Sequence, residues 1–291
     1  MTPEQRADNL RGIVMMVIAV GAFAMMDAAL KQLTPHYPAT QVAALRGYAS
    51  LPVVLVWALV LGSRARLFDV RWSLHLLRGA IGILMLASFA FGLRTLPMSE
   101  AYSIFFFAPL LITAMAAPLL GERVSANRWW AIAIGMLGVL VVLRPMGSEI
   151  LSIGGVAVLI STACYAISAI TARVLGRTDT SVSMVFWLMF MVAIGATALT
   201  GSDWQPIQAT HGWALLAIAI TGSIGQFAVT EAFKRGQASL IAPFEYTALA
   251  WGLGLDWVLW QVLPEPIVML GAAIVVASGL FLLWSERRQR A

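Results

Sequence analysis

Residues 13–33 read IVMMVIAVGAFAMMDAALKQL, and the first fourteen of them carry no charge. At 1.5 Å per residue a helix of this length reaches about 31 Å, the thickness of a bilayer's hydrocarbon core. Nine further apolar segments follow: Thr40 to Leu61, Trp72 to Leu93, Ser99 to Leu119, Trp129 to Leu143, Ile153 to Leu175, Ser181 to Thr200, Gly212 to Phe233, Ser239 to Gln261 and Pro266 to Trp284. Of the 291 residues 60% are hydrophobic and 11% charged, whereas an ordinary soluble domain carries roughly 25% charged residues. Ten spans of about 20 residues consume about 200, so no soluble catalytic or receptor domain fits between them. The expected fold is an all-α polytopic membrane protein with ten transmembrane helices.

Connections such as Arg94 to Met98 allow only tight antiparallel hairpins between helices. An even number of spans puts both termini on one side, and the basic residues mark that side as cytoplasmic. Fifteen of the nineteen Lys and Arg residues, from Arg6 and Arg11 to Arg287, Arg288 and Arg290, fall on alternate connections or at the two ends. Lys31, Arg46, Arg94 and Arg144 lie toward the other side, whose longest connection, Gly201 to His211, has no Lys or Arg. The net charge of +5 therefore answers to the lipid bilayer and not to nucleic acid, and the expected location is the cell inner membrane. The first span follows a polar stretch containing Glu4 and Asp8, with no small-residue cleavage pattern after it, and is expected to be retained. The single cysteine, Cys164, excludes a disulfide framework and reads as a small buried hydrophobe. Tryptophans near span ends, such as Trp72, Trp129, Trp204 and Trp284, read as interface anchors.

The chain resembles itself at an offset of about 140 residues. Gly12, Ala22-Phe23-Ala24 and Lys31 line up with Gly154, Cys164-Tyr165-Ala166 and Arg173; Gly79-Ala80-Ile81-Gly82 lines up with Gly222-Ser223-Ile224-Gly225; and Ser99 lines up with Ser239. The expected units are residues 1–147 and 148–291, five spans each. Because five is odd, the second unit enters the membrane from the opposite face. Inverted repeats of this kind characterise transporters, with the substrate site near the midplane between the copies.

The segment Leu119-Leu120-Gly121-Glu122-Arg123, followed by Trp129 to Leu143 with Gly135 and Gly138, resembles the end of an EamA repeat of the drug/metabolite transporter superfamily. Ala242-Pro243-Phe244-Glu245-Tyr246-Thr247 and Leu263-Pro264-Glu265-Pro266 resemble the corresponding stretch of its amino-acid and metabolite exporters. The resemblance covers essentially the whole chain, with the aromatic amino-acid exporters the nearest subgroup. It implies two inverted five-helix repeats and export of small metabolites. The second copy departs from the pattern where Gln261 and Val262 replace the Gly-Glu pair.

Charges inside spans are costly and are functional candidates. Asp27 and Arg46 each lie six residues from the outer ends of the first two spans, roughly 9 Å deep, and read as a pair. Arg78 and Glu245 lie equally deep from the cytoplasmic boundary. One charge comes from each repeat, and they are expected to meet as a cytoplasmic latch. Asp256 is left unpaired and is the expected carrier for proton coupling. Structural ion pairing, or snorkelling of the arginines to lipid phosphate, is the competing reading for the two pairs, and for Asp256 it is simple exposure to water near the outer end of the ninth span. Phe23, Tyr102, Tyr165, Trp187, Tyr246 and Trp251 are the candidate substrate-binding aromatics, because rings bind apolar groups by area and cations by their faces.

No Gly-x-x-x-x-Gly-Lys phosphate loop or His-Glu-x-x-His zinc pair is present, and His36, His75 and His211 lie near different boundaries, so no metal site assembles. Gly252-x-Gly254-x-Asp256 misses an intramembrane aspartyl protease spacing by one residue, and no span carries a filter-like sequence. The reading is an alternating-access exporter of amino acids, aromatic and other neutral ones favoured, and of related small metabolites. It needs no cofactor, and a monomer suffices. The alternatives are an uptake or exchange carrier for another small metabolite or a cationic drug and, further off, an intramembrane enzyme or a channel.

Overall fold

A computed structural model describes residues 3–33, 35–60, 67–95, 104–143, 152–260 and 266–288. Among the described residues every regular element is helical: α1 (Pro3–Leu33), α2 (Ala39–Val60), α3 (Trp72–Thr95), α4 (Ala108–Leu120), α5 (Ala126–Leu143), α6 (Ile153–Leu175), α7 (Ser181–Thr200), α8 (Gly212–Arg235), α9 (Ala238–Ile241), α10 (Ala248–Trp260) and α11 (Pro266–Arg288). Helices thus occupy each of the ten apolar segments. Among the described residues, six helices are long and apolar enough to cross a membrane: Glu4–Leu30, Ala39–Val60, Trp72–Phe89, Ile153–Leu175, Ser181–Asp203 and Ala209–Arg235. This is a multi-pass membrane protein.

Local chemistry sets the ends. The Ser152 and Thr180 hydroxyls accept the N–H groups of Gly155 and Ser183, which starts α6 and α7. Gly121, at φ 67°, closes α4 in the left-handed region that residues with a Cβ avoid.

Two boundaries depart from the sequence reading. The first helix starts at Pro3, ten residues before the apolar run, because Asn9 Oδ1 accepts the Gln237 N–H at 2.9 Å and ties the polar turn to the rest of the fold. The ninth segment is not one α-helix. Between α9 and α10 the chain tightens into a 3₁₀ turn over Ala242–Thr247, since Pro243 has no N–H to donate and its ring crowds the preceding turn.

The principal helix packings join the first half of the chain to the second: α1 on α8, α3 on α6, α2 on α7, α5 on α11 and α4 on α6. Exchanging the halves maps α1 on α8 onto α6 on α3, leaves α2 on α7 and α5 on α11 unchanged, and maps α4 on α6 onto the observed packing of α10 on α1. The largest buried cluster lies in this seam, with Met16 of α1, Ile112 of α4, Phe233 of α8 and Leu240 of α9 at its centre.

Candidate functional site

Two groups of polar side chains interrupt the apolar seam. In the first, Arg46 on α2 lies over the Phe23 ring of α1, 5.4 Å from its centroid, and its Nη2 donates to Gln226 Oε1 of α8 at 3.5 Å. Phe23 is held from below by Gly225, where a Cβ would sit 2.7 Å from the ring. Asp27, one turn along α1 from Phe23, is exposed and lies within the electrostatic reach of Arg46 without salt-bridge contact. Arg46 lies over Phe23, but the direct Asp27–Arg46 pair expected from matched depth is not formed, and sequence reasoning missed Gln226, whose signal was a lone amide inside an apolar helix.

In the second group, Glu245 sits in the 3₁₀ turn with 9% of its surface exposed, and its Oε1 accepts the Tyr165 hydroxyl of α6 at 3.0 Å. The Tyr165 ring rests against Phe105 at 5.4 Å and lies in the field of Arg78. Arg78 of α3 is buried and donates from Nε to Ser168 Oγ and from Nη1 to the Met184 carbonyl, both at 3.3 Å. The expected Arg78–Glu245 latch is therefore not made: the two charges flank Tyr165 and satisfy themselves elsewhere. Depth along the bilayer was read from sequence, but the face of the helix each charge occupies was not. Phe23 and Tyr165 both pack on the main seam cluster, so the two groups border the same core.

The remaining candidates lie apart. Trp187 donates its indole N–H to the Leu67 carbonyl at 2.9 Å and stacks edge-on against Trp72, with ring centroids 4.6 Å apart; it braces the α2–α3 connection. Tyr246 is fully buried against Phe106 and Val139, and its hydroxyl has no hydrogen-bond partner. Trp251 is 42% exposed and lies against Gly21 of α1. Tyr102 and the Asp256 side chain lie outside the described residues.

Hydrogen bonds also tie the halves together at both ends of the seam. At one end, the Glu122 carboxylate accepts the Ala238 N–H at 2.8 Å, the Ser239 N–H at 3.0 Å and the Ser239 hydroxyl at 2.6 Å, while Arg128 donates to Ser239 Oγ and Gln237 Oε1, each at 2.7 Å. Beside them His75 Nε2 donates to Asp179 Oδ2 at 2.8 Å, both side chains being buried. At the other end, Gln41 exchanges two hydrogen bonds with the Gln205 backbone, at 2.6 and 2.8 Å. There Tyr37 bonds His211 Nδ1 at 2.8 Å and accepts the Gln208 N–H at 2.9 Å.

The pattern of the EamA-like transporter family matches residues 10–144 and again residues 152–284. The chain belongs to the EamA-like transporter family. Among its relatives are the pseudopaline exporter CntI of Pseudomonas aeruginosa, 24% identical over 272 residues, 93% of this chain and 95% of that protein. A riboflavin transporter of Vibrio cholerae is 24% identical over 286 residues, 97% and 96% of the two chains. An S-adenosylmethionine uptake transporter of Rickettsia conorii is 24% identical over 283 residues, 96% and 94%. A solved crystal structure shares the fold, with a TM-score of 0.83 over 98% of this chain and 99% of its own at 19% identity. Small-molecule transport is thus the activity of this EamA chain. The Gly121-Glu122 pair of the family resemblance gains a physical role here: the glycine turns the chain, and the carboxylate caps α9 across the seam.

Proposed function

We propose that this EamA protein exports amino acids, aromatic and other neutral ones favoured, and related small metabolites across the inner membrane by alternating access. Residues 1–147 and 148–291 form two inverted five-helix repeats, with both termini cytoplasmic. The observation that carries the reading is the seam itself, where charged side chains and aromatic rings from both halves lie within an otherwise apolar core. The packing pattern that survives exchange of the halves, and the twofold match to the family pattern, support the repeat. A substrate with an apolar side chain and charged ends suits such a lining, since rings supply contact area and buried charges supply orientation.

The relatives include an uptake transporter as well as an exporter, which favours a second reading with the same site and the opposite or exchanging direction. Efflux from cells separates the two. Cells preloaded with labelled L-phenylalanine, L-tryptophan or L-leucine are to lose label faster when they express the protein than when they carry an Arg78→Gln variant at equal membrane level. Faster uptake with unchanged efflux would support the second reading, and no effect on any of the three would remove amino acids from the substrate class.

A further inference from the structure

Arg46 and Asp27 are opposite charges on adjoining helices, at matched depth, that do not close on each other. Arg46 carries five N–H donors, and only a 3.5 Å contact from Nη2 to Gln226 engages one of them; its Nε is buried without any partner. Asp27 attracts Arg46 electrostatically and feels the desolvation of the surrounding protein, yet its side chain keeps exposed surface. Phe23 lies beneath the guanidinium and limits its movement toward α1, while Gly225 fixes the ring. If the two charges served only to neutralise one another, direct contact would be the favoured geometry in so apolar a seam.

We propose that Asp27, Arg46 and Gln226 form the head-group subsite for a zwitterionic, amino-acid-type substrate, with Arg46 and Gln226 taking its carboxylate and Asp27 its ammonium. A ligand with its charges in the reverse order closes the gap that the protein leaves open, and each charge then gains a partner. The apolar part of the ligand extends along the Phe23 face. Gln226 comes from the second half of the chain, so a bound head group joins the two halves. This assignment rests on the amino-acid reading above and adds to it the residues that recognise the head group.

The test is equilibrium binding of L-phenylalanine, 2-phenylethylamine and N-acetyl-L-phenylalanine to the purified protein in lipid nanodiscs. The wild type is expected to prefer L-phenylalanine to each of the other two by at least about tenfold, ~1.4 kcal/mol. Arg46→Gln is expected to lose discrimination against 2-phenylethylamine, which lacks the carboxylate, while keeping it against the N-acetyl compound. Asp27→Asn is expected to do the reverse, and Arg46→Lys to keep most of the wild-type preference. A merely structural role would weaken all three ligands together and leave the ratios unchanged, which would overturn the assignment with the amino-acid reading intact. A folded wild type that binds none of the three would overturn the reading and the assignment with it.

Discussion

Asp179 is buried in the α6–α7 turn and nevertheless holds its charge. Burial alone would push its carboxyl up, but hydrogen bonds from Thr178, His75 and the Arg71 N–H outweigh that cost and hold it below the ordinary carboxylate range. A group whose folded pKa is depressed stabilises the fold above its unfolded value, near 3.9, and loses that contribution as pH falls through the lower folded value. Asp179→Asn is therefore expected to lower stability at pH 7 by about 1–3 kcal/mol. The gap should close only below about pH 4. Thermal unfolding in detergent at pH 7, 5 and 3.5 measures it, and equal midpoints at pH 7 would show that the His75–Asp179 contact contributes nothing. The same reasoning explains what was hard to see from residue types alone. His75 and Asp179 are separated by 104 positions, and a histidine near a span end gives no sign of its partner. Arg78 and Glu245 gave a false one, since equal depth places two charges at one height but on unspecified faces, and Tyr165 fills the space between them.

Helix ends were legible wherever a capping side chain or a glycine marked them, as at Ser152 and Thr180, and α6 and α7 start and stop as the sequence implied. The break in the ninth segment was not, because an apolar run containing one proline also reads as a continuous membrane helix whose neighbours satisfy the freed carbonyl. Here the break has a consequence for the site: it sets the direction of Glu245. A 3₁₀ turn advances about 120° per residue and an α-helix about 100°, so converting the segment would rotate Glu245 away from Tyr165. Pro243→Ala, which permits the α-helical hydrogen bond, is expected to leave the melting temperature unchanged or raised, given the roughly 3 kcal/mol cost of proline inside a helix, while transport falls. Transport in proteoliposomes and thermal unfolding of the same preparation measure both. Undiminished transport would show that the turn is a packing feature only.

For the molecule as a whole, the proposed cytoplasmic side rests on the count of basic residues. Asn127 donates to Ser285 at 2.6 Å, Arg128 to Gln237, and the Gln237 N–H to Asn9, so Asn9 of α1 and Ser285 of α11 lie at the same end of the bundle. In a Cys164→Ala background, a cysteine at Ala126 is expected to resist a membrane-impermeant thiol reagent in intact cells and one at Ala209 to react; the opposite pattern would invert the orientation. The seam between the halves is hydrogen-bonded at both of its ends, through Glu122–Ser239 on one side and Tyr37–His211 on the other. A carrier that works by alternating access must release these two sets in turn while its central site stays occupied or returns empty. Exchange through such a site leaves a signature that neither a channel nor an enzyme produces. Proteoliposomes loaded with unlabelled L-phenylalanine and diluted into a trace of the labelled amino acid should accumulate label above its equilibrium level and then lose it as the internal pool drains. Label that only drifts to equilibrium, at a rate indifferent to the internal amino acid, would contradict carrier-type transport of amino acids by this protein.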